Sequence, residues 1–321
     1  MLIRNTIIKK LARAIHVHPA PPESILSAEK INQLFIEARQ AVPAELKNIY
    51  SQPGLHGHKL SYENGQGMDY NESRLYSSGD DYRSINWKQS ARSDQLIVNQ
   101  FSKEQEPVDY ILLDTRPSMY FGTKKQTKIS NAIKLVIESI TASLKYGHTV
   151  KLFSFDDNIQ QLGWVKDFRQ AFNIVSELAN YDEKDTPPNV ININKAIQSL
   201  VVVKPEYSSI TIISDFNDMS ESVSISLNSF REKNNIMLYP VKDEIELDLP
   251  AIHPVDYQSL NKNITAPIDT ATNAKDLRKQ LIKRNKSIFS LLKKSADNVV
   301  LVTNDSRQNL SQLDFQISRE S

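Results

Sequence analysis

Cysteine is absent from this chain of 321 residues. That excludes disulfide scaffolds, cysteine-based zinc sites and a cysteine nucleophile, and it agrees with an expected cytoplasmic location. Long apolar runs are also missing. None approaches the ~20 residues that a membrane-spanning helix needs. The N-terminal stretch MLIRNTIIKKLARAIHVH is basic and weakly amphipathic. It lacks the uninterrupted apolar core and small-residue cleavage site of a secretory signal. It is expected to be a short helix on the protein body, with a membrane-surface helix as the alternative. Neither charge sign is in excess, since the formal net charge is +1. Global charge therefore names neither nucleic acid nor an acidic membrane as a partner. No GxxxxGK[ST] loop occurs, so the chain is not expected to be an ATPase. Glycine is scarce and uneven. Five of the eight glycines, Gly54, Gly57, Gly65, Gly67 and Gly79, fall in one short stretch.

What is present divides into three parts. Residues 1–44 hold the N-terminal helices and a linker punctuated by Pro19, Pro21 and Pro22. In this part Ile31, Leu34, Phe35, Ala38 and Val42 form an apolar stripe at helical spacing, closed by Pro43. Residues 45–106 contain the glycines and short candidate strands such as GHKLSYE and QLIVNQF, which predict a β-rich segment with tight turns. Over residues 107–315 strands alternate with helices. VDYILLD, HTVKLFSF, SSITIISD, IMLYPV and NVVLVTN are apolar enough to be buried on both faces. KISNAIKLVIESITASLKYG is a long helix with Gly147 at its C-terminal cap. Other helices are expected around 166–181, in NINKAIQSLVV, in SESVSISLNSFREKNN and from Asn273 to Lys294. This alternation predicts right-handed βαβ units and a mostly parallel sheet with helices on both faces.

In such a sheet, ligands bind outside the carboxyl ends of the strands. Two strands end in aspartate, at Asp114 and Asp215, and Ser118 follows Asp114 in the turn. If the strands are neighbours, both carboxylates reach one crevice, with Asp218 three residues beyond. The arrangement resembles the metal-ion-dependent adhesion site of von Willebrand factor A (vWA) domains. The resemblance implies metal ligands at Asp114, Ser118 and Asp215. It also implies hydroxyl ligands at two positions that hold Arg116 and Ile191 here. Mg²⁺ wants about six oxygen ligands. With two hydroxyls missing, a degenerate site is expected, with no cofactor or at most weakly held Mg²⁺. A guanidinium beside two carboxylates neutralises them as a cation would. Arg116 is thus a tethered substitute for the metal, or at least a group that weakens it. The alternative is that Asp114 and Ser118 only satisfy backbone donors of the loop.

Upstream, the run Tyr76-Ser-Ser-Gly-Asp-Asp-Tyr-Arg-Ser-Ile-Asn-Trp-Lys-Gln-Ser-Ala-Arg92 resembles the signature of the bacterial family called domain of unknown function 58. The agreement lies at Tyr76, Gly79, Asp80, Asp81, Arg83, Ile85, Trp87, Ala91 and Arg92, with Ser78 where proline is usual. Glu104, the Asp114 loop with Ser118, Met119 and Gly122, Asp215, and the segment YPVKDEIELDLP extend it over roughly residues 45–315. The resemblance implies a vWA-like, Rossmann-type α/β domain preceded by a β-rich segment. It also implies a partner, a MoxR-type AAA+ ATPase, and a chaperone-like role on a client protein. Read from the residues alone, Gly79 and two aspartates make a tight turn. Arg83 and Arg92 are expected to pair with Asp80 and Asp81, with Trp87 as a buried anchor. Such a segment either clamps the β-rich part to the α/β domain or offers a partner surface.

Two other functions compete. A phosphatase with Asp114 as nucleophile needs a second acid two residues on. That position is Arg116, which does not exchange protons at neutral pH. A metal-dependent hydrolase using Asp114 and Asp215 is the remaining enzymatic alternative to a non-enzymatic protein-interaction module. His56 and His58 lack a third zinc ligand at recognisable spacing, and His148 reads as structural. Nucleic-acid binding would use the basic helix 274–294, with Lys275, Arg278, Lys279, Lys283, Arg284, Lys286, Lys293 and Lys294 against Asp276. Without interleaved aromatics it is expected to be a solvated face or a dock for an acidic protein.

Overall fold

The computed structural model describes residues 26–51, 60–61, 69–93, 95–104, 107–123, 126–180, 190–248, 257–258, 265–266 and 271–310. The basic N-terminal stretch, the proline-rich linker, His56 and His58 lie outside these residues. The chain divides into two compact units, residues 52–107 and the segments on either side of them.

The larger unit is built on a seven-stranded sheet. Its strands are β4 (Val108–Asp114), β5 (Thr149–Phe155), β6 (Ile159–Val165), β7 (Ser209–Ser214), β8 (Asn235–Pro240), β11 (Asn298–Val302) and β12 (Arg307–Asn309), in the order β12-β11-β8-β7-β4-β5-β6. The five central strands are parallel; β6 and β12 close the edges antiparallel. β4 lies between β5 and β7, so the chain reverses its direction of winding beside β4. The strands are apolar throughout because both faces are covered. Ile111 and Leu113 of β4 enter one core, and Tyr110 and Leu112 enter the other. Burying each such side chain contributes roughly 1.5–3 kcal/mol.

One face is covered by α1 (Ala28–Gln40), α2 (Ala44–Ser51), α4 (Lys128–Lys145) and α5 (Phe168–Ala179). On the other face lie α6 (Ile193–Val203), α7 (Glu221–Arg231) and α9 (Ala271–Ser295). Helix α4 is fixed at both ends. Thr127 accepts from the Ser130 N–H at its start, and Gly147 adopts φ +80° just after its last turn. Helix α1 starts at the Ser27 cap and buries Ile31, Leu34, Phe35 and Ala38. These described N-terminal helices belong to the α/β unit, rather than forming a separate part, and residues 45–51 are helical rather than β. Short α8 (Glu244–Leu247) follows β8, and a two-residue ladder joins β9 (Tyr257–Gln258) to β10 (Thr265–Ala266).

The smaller unit holds β1 (Leu60–Ser61), β2 (Asp69–Leu75) and β3 (Ile97–Glu104) as an antiparallel sheet in the order β1-β3-β2. A turn at Gly79, with φ +113°, leads into a 3₁₀ turn (Tyr82–Ser84) and then α3 (Trp87–Ser93). This helix was not expected from the sequence. It is tied to β3 by the Ser90 hydroxyl, which accepts from the Ile97 N–H at 2.9 Å and donates to the Asn86 carbonyl at 2.8 Å. Strand order, parallel centre and helical layers make the larger unit a vWA-like, Rossmann-type fold preceded by a β-rich segment.

Candidate functional site

β4 and β7 are adjacent and parallel, so Asp114 at the end of one and Asp215 just past the other meet in one crevice. Both side chains are fully buried. Arg116 lies between them. Its Nε donates to Asp114 Oδ1 at 3.0 Å and Oδ2 at 3.1 Å, and its Nη2 donates to Oδ2 at 2.7 Å. On its far side the guanidinium donates to Asp218, from Nη1 to Oδ2 at 2.8 Å and from Nη2 to Oδ1 at 3.1 Å. Nη1 also reaches the Ile191 carbonyl at 3.5 Å, and Nη2 lies 3.8 Å from Asp215. Each guanidinium nitrogen therefore meets a protein oxygen, and the five N–H donors of an arginine are directed into the protein.

The loop adopts this geometry for local reasons. The Arg116 N–H donates to Asp114 Oδ1 at 3.0 Å, an Asx-type turn that folds residue 116 back over the strand end. Pro117 starts a 3₁₀ turn over Pro117–Tyr120, and Ser118 in that turn is among the groups that lower the Asp215 pKa. Asp218 Oδ2 accepts from the Ile193 N–H at 2.8 Å and fixes the start of α6. Arg116 and Asp218 thus join the loops after β4 and β7 to the start of α6. The guanidinium also lies over the Phe155 ring, 5.1 Å from its centre.

Four more residues, Lys128, Glu246, Lys242 and Asn217, complete the cluster and were not singled out from the sequence. Lys128 Nζ donates to Asp215 at 3.1 Å and to Glu246 at 2.9 Å. Lys242, also buried, donates to Asn217 Oδ1 at 2.6 Å, and Asn217 Nδ2 donates to Asp215 at 2.8 Å. A signal for Lys128 does exist in the sequence. It opens a helix, where the macrodipole disfavours a cation, so a carboxylate partner was called for. Glu246 and Lys242 carry no comparable signal, because their neighbours are set by tertiary packing.

The two aspartates respond in opposite directions. Burial pushes the Asp114 carboxyl up, against the pull of Arg116 and with a further push from Asp215. Burial also disfavours ionised Asp215, but Lys128, Lys242 and Arg116 outweigh it and hold that carboxyl far below the usual range. Burial disfavours the Lys128 charge too, yet Glu246 and Asp215 raise its affinity for the proton. Lys242 is shifted down by burial. The cations that face these carboxylates, Arg116, Lys128 and Lys242, are supplied by the chain itself. Among the described residues, no group of three or more His, Cys, Asp and Glu side chains is arranged to hold a metal ion.

The upstream signature differs from its sequence expectation. Asp80 pairs with Arg74, at 2.6 and 2.8 Å, and accepts from the Ser77 N–H at 2.8 Å. Asp81 caps the 3₁₀ turn by accepting from the Arg83 N–H at 2.9 Å. The side chains of Arg83 and Arg92 are exposed and do not take part in these pairs. Trp87 is not a buried anchor; it is 66 % exposed, because Ile85 and Ser90 are the residues that turn inward here. On the basic helix, Arg278 pairs with Asp248 and Arg284 donates to the Asn217 carbonyl at 2.8 Å, while Lys279, Lys283 and Lys286 are exposed. His148 is buried, with Nδ1 3.2 Å from Asp109 at the amino end of the sheet.

Several known proteins are similar to this chain. Uncharacterized protein Rv1480 of Mycobacterium tuberculosis and Uncharacterized protein Mb1516 of Mycobacterium bovis are each 38 % identical over 69 residues. The match spans 22 % of this chain and 22 % of theirs. Among solved structures, conserved hypothetical protein BatB from Bacteroides thetaiotaomicron is 13 % identical with a TM-score of 0.35, over 57 % of this chain and 99 % of that one. A von Willebrand factor type A structure from Catenulispora acidiphila is 11 % identical with a TM-score of 0.29, over 57 % and 43 % of the two chains. Among the described residues no helix is long and apolar enough to cross a membrane. The model of the family described as Protein of unknown function DUF58 matches residues 72–287, more than half of the sequence, and the chain belongs to that family.

Proposed function

We propose that this protein is a non-enzymatic, vWA-like interaction module that acts with a MoxR-type AAA+ ATPase in chaperone-like assembly or activation of a client protein. One observation carries the non-enzymatic part. Arg116 spans Asp114 and Asp218, so the position where a vWA domain would hold its metal receives a cation of the protein's own. A general acid or nucleophile at Asp114 would need a free oxygen, but both of its oxygens accept from Arg116, and Oδ2 also accepts from Ser214 at 2.6 Å. Asp215 is engaged in the same way by Lys128 and Asn217. The ATPase partnership is supported by the resemblance of the Gly79–Arg92 signature and by family membership.

The test is to mix the purified chain with a MoxR-type ATPase of the same organism and follow ATP hydrolysis. The expected outcome is a change in the ATPase rate, with no hydrolysis of nucleotide or phosphoester by the chain alone. Robust phosphatase or nuclease turnover by the chain, lost in Asp114→Asn, would overturn the reading in favour of a hydrolase.

A further inference from the structure

In the smaller unit the two acids of the Gly-Asp-Asp turn are engaged locally, while several cations and aromatic rings near them face solvent. Asp80 is taken up by Arg74 and the Ser77 N–H, and Asp81 by the Arg83 N–H. Across the 3₁₀ turn and α3, Tyr82 is 70 % exposed and Trp87 66 %. Arg83, Lys88 and Arg92 are exposed beside them, and none of their side chains makes an ion pair or hydrogen bond among the described residues. At about 100° per residue, Trp87, Lys88, Ala91 and Arg92 occupy an arc of roughly 140° on α3. Ser90 faces away from that arc and bonds to β3. The helix is therefore anchored by one face and presents the other to solvent.

We infer that this face, formed by Tyr82, Arg83, Trp87, Lys88 and Arg92, docks an acidic segment of a partner protein. The inference rests on the proposed interaction role and names the partner's chemistry and the surface it meets. Charge complementarity selects the occupant. Among the described residues of this face, three cations without an ion-pair partner stand against one carboxylate, Asp81, so glutamates or aspartates of a partner supply the complementary charge. Tryptophan, tyrosine and arginine are also the side chains that dominate binding energy at protein interfaces. Single-stranded nucleic acid fits the face less well. It needs successive stacking platforms along a longer basic track. Here one face of Tyr82 is already stacked on Tyr76, with ring centres 5.8 Å apart, and Trp87 alone stays open.

Trp87 is its own reporter, because the only other tryptophan is Trp164. In the full chain carrying Trp164→Phe, Trp87 emission is followed during titration with a short Glu/Asp-rich peptide, a Lys-rich peptide of equal length and an oligo-dT strand. A saturable shift with the acidic peptide alone is expected. Arg83→Glu/Arg92→Glu should weaken it about tenfold or more at unchanged thermal midpoint. No shift with any probe, or a shift with oligo-dT and none with the acidic peptide, overturns the inference. Binding of the MoxR-type ATPase to the native chain and to the double variant separates the two readings. If the ATPase binds both equally, the docking face is wrong while the interaction role stands. If it binds neither while the acidic peptide binds the native chain, the ATPase partnership fails while the docking face stands.

Discussion

Strand β4 carries a buried aspartate at each end, and the two are satisfied by different chemistry. Asp109, at the amino end, accepts from the Tyr50 hydroxyl at 2.7 Å and the Ser209 N–H at 3.1 Å, with His148 Nδ1 at 3.2 Å. The Tyr50 hydroxyl also meets Ser143 at 2.8 Å, and its ring stacks on Tyr146 at 4.6 Å. Helices α2 and α4 and the starts of β5 and β7 are thereby stitched to one carboxylate. Asp114, at the carboxyl end, meets a full guanidinium and belongs to a network with three further carboxylates, Asp215, Asp218 and Glu246. A buried ionic network adds little net stability over an apolar core, but removing one member leaves uncompensated charge. The amino end is thus a staple. The carboxyl end is a lock whose parts depend on one another.

The largest test of that difference removes the lock's central cation. Arg116→Ala should cost about 3–5 kcal/mol, because Asp114 and Asp218 lose their common partner in a buried setting. Denaturant unfolding at neutral pH measures it. Asp109→Asn keeps the shape and an acceptor oxygen for Tyr50, and should cost only ~1–3 kcal/mol. Equal losses in the two variants would mean that the ends do not differ in kind.

Acid should loosen both ends. Burial disfavours ionised Asp109, but the His148 and Tyr50 bonds outweigh it and lower its folded pKa below the ordinary 3.8. Asp215 is lowered further by Lys128, Lys242 and Arg116, which outweigh its burial. A carboxyl with a depressed folded pKa contributes stability that is full above its unfolded value and lost as pH falls through the folded one. Asp114, raised by burial, has the opposite sign: it costs stability at neutral pH, and that cost fades as pH falls. The sum is expected to be a fall in thermal midpoint below about pH 4, shallower in Asp109→Asn. A midpoint unchanged between pH 7 and pH 3 would contradict the assignment.

Much of the larger unit was legible because its strands are uniformly apolar and its long helix has clear caps. β6 and β12 were not, since IQQLGWV mixes glutamines and a glycine with apolar residues and RQN has no apolar residue at all. Both are edge strands, which burial does not specify. In the smaller unit, the Gly-Asp-Asp turn was legible from its residue types. The pairing of Asp80 was not, because its partner Arg74 lies on the preceding strand and outside the run of charges that drew attention. Trp87 was misread because a large aromatic was taken for an anchor, while small Ser90 holds α3 to the sheet. At the site, strand ends located Asp114 and Asp215. Lys128 and Glu246 come together from segments 118 residues apart, a contact that no local pattern encodes.

The central claim is that the chain supplies its own cation where a vWA domain would hold a metal. Thermal unfolding with and without millimolar Mg²⁺ or Mn²⁺ tests it most directly. Ligand at 100 times its Kd would stabilise the folded state by roughly 2.7 kcal/mol. The account predicts no such gain for the native chain. It predicts a measurable one in Arg116→Ser, which removes the guanidinium and restores a hydroxyl beside Asp114 and Ser118. A clear rise in the native protein, abolished by Asp114→Ala, would contradict it.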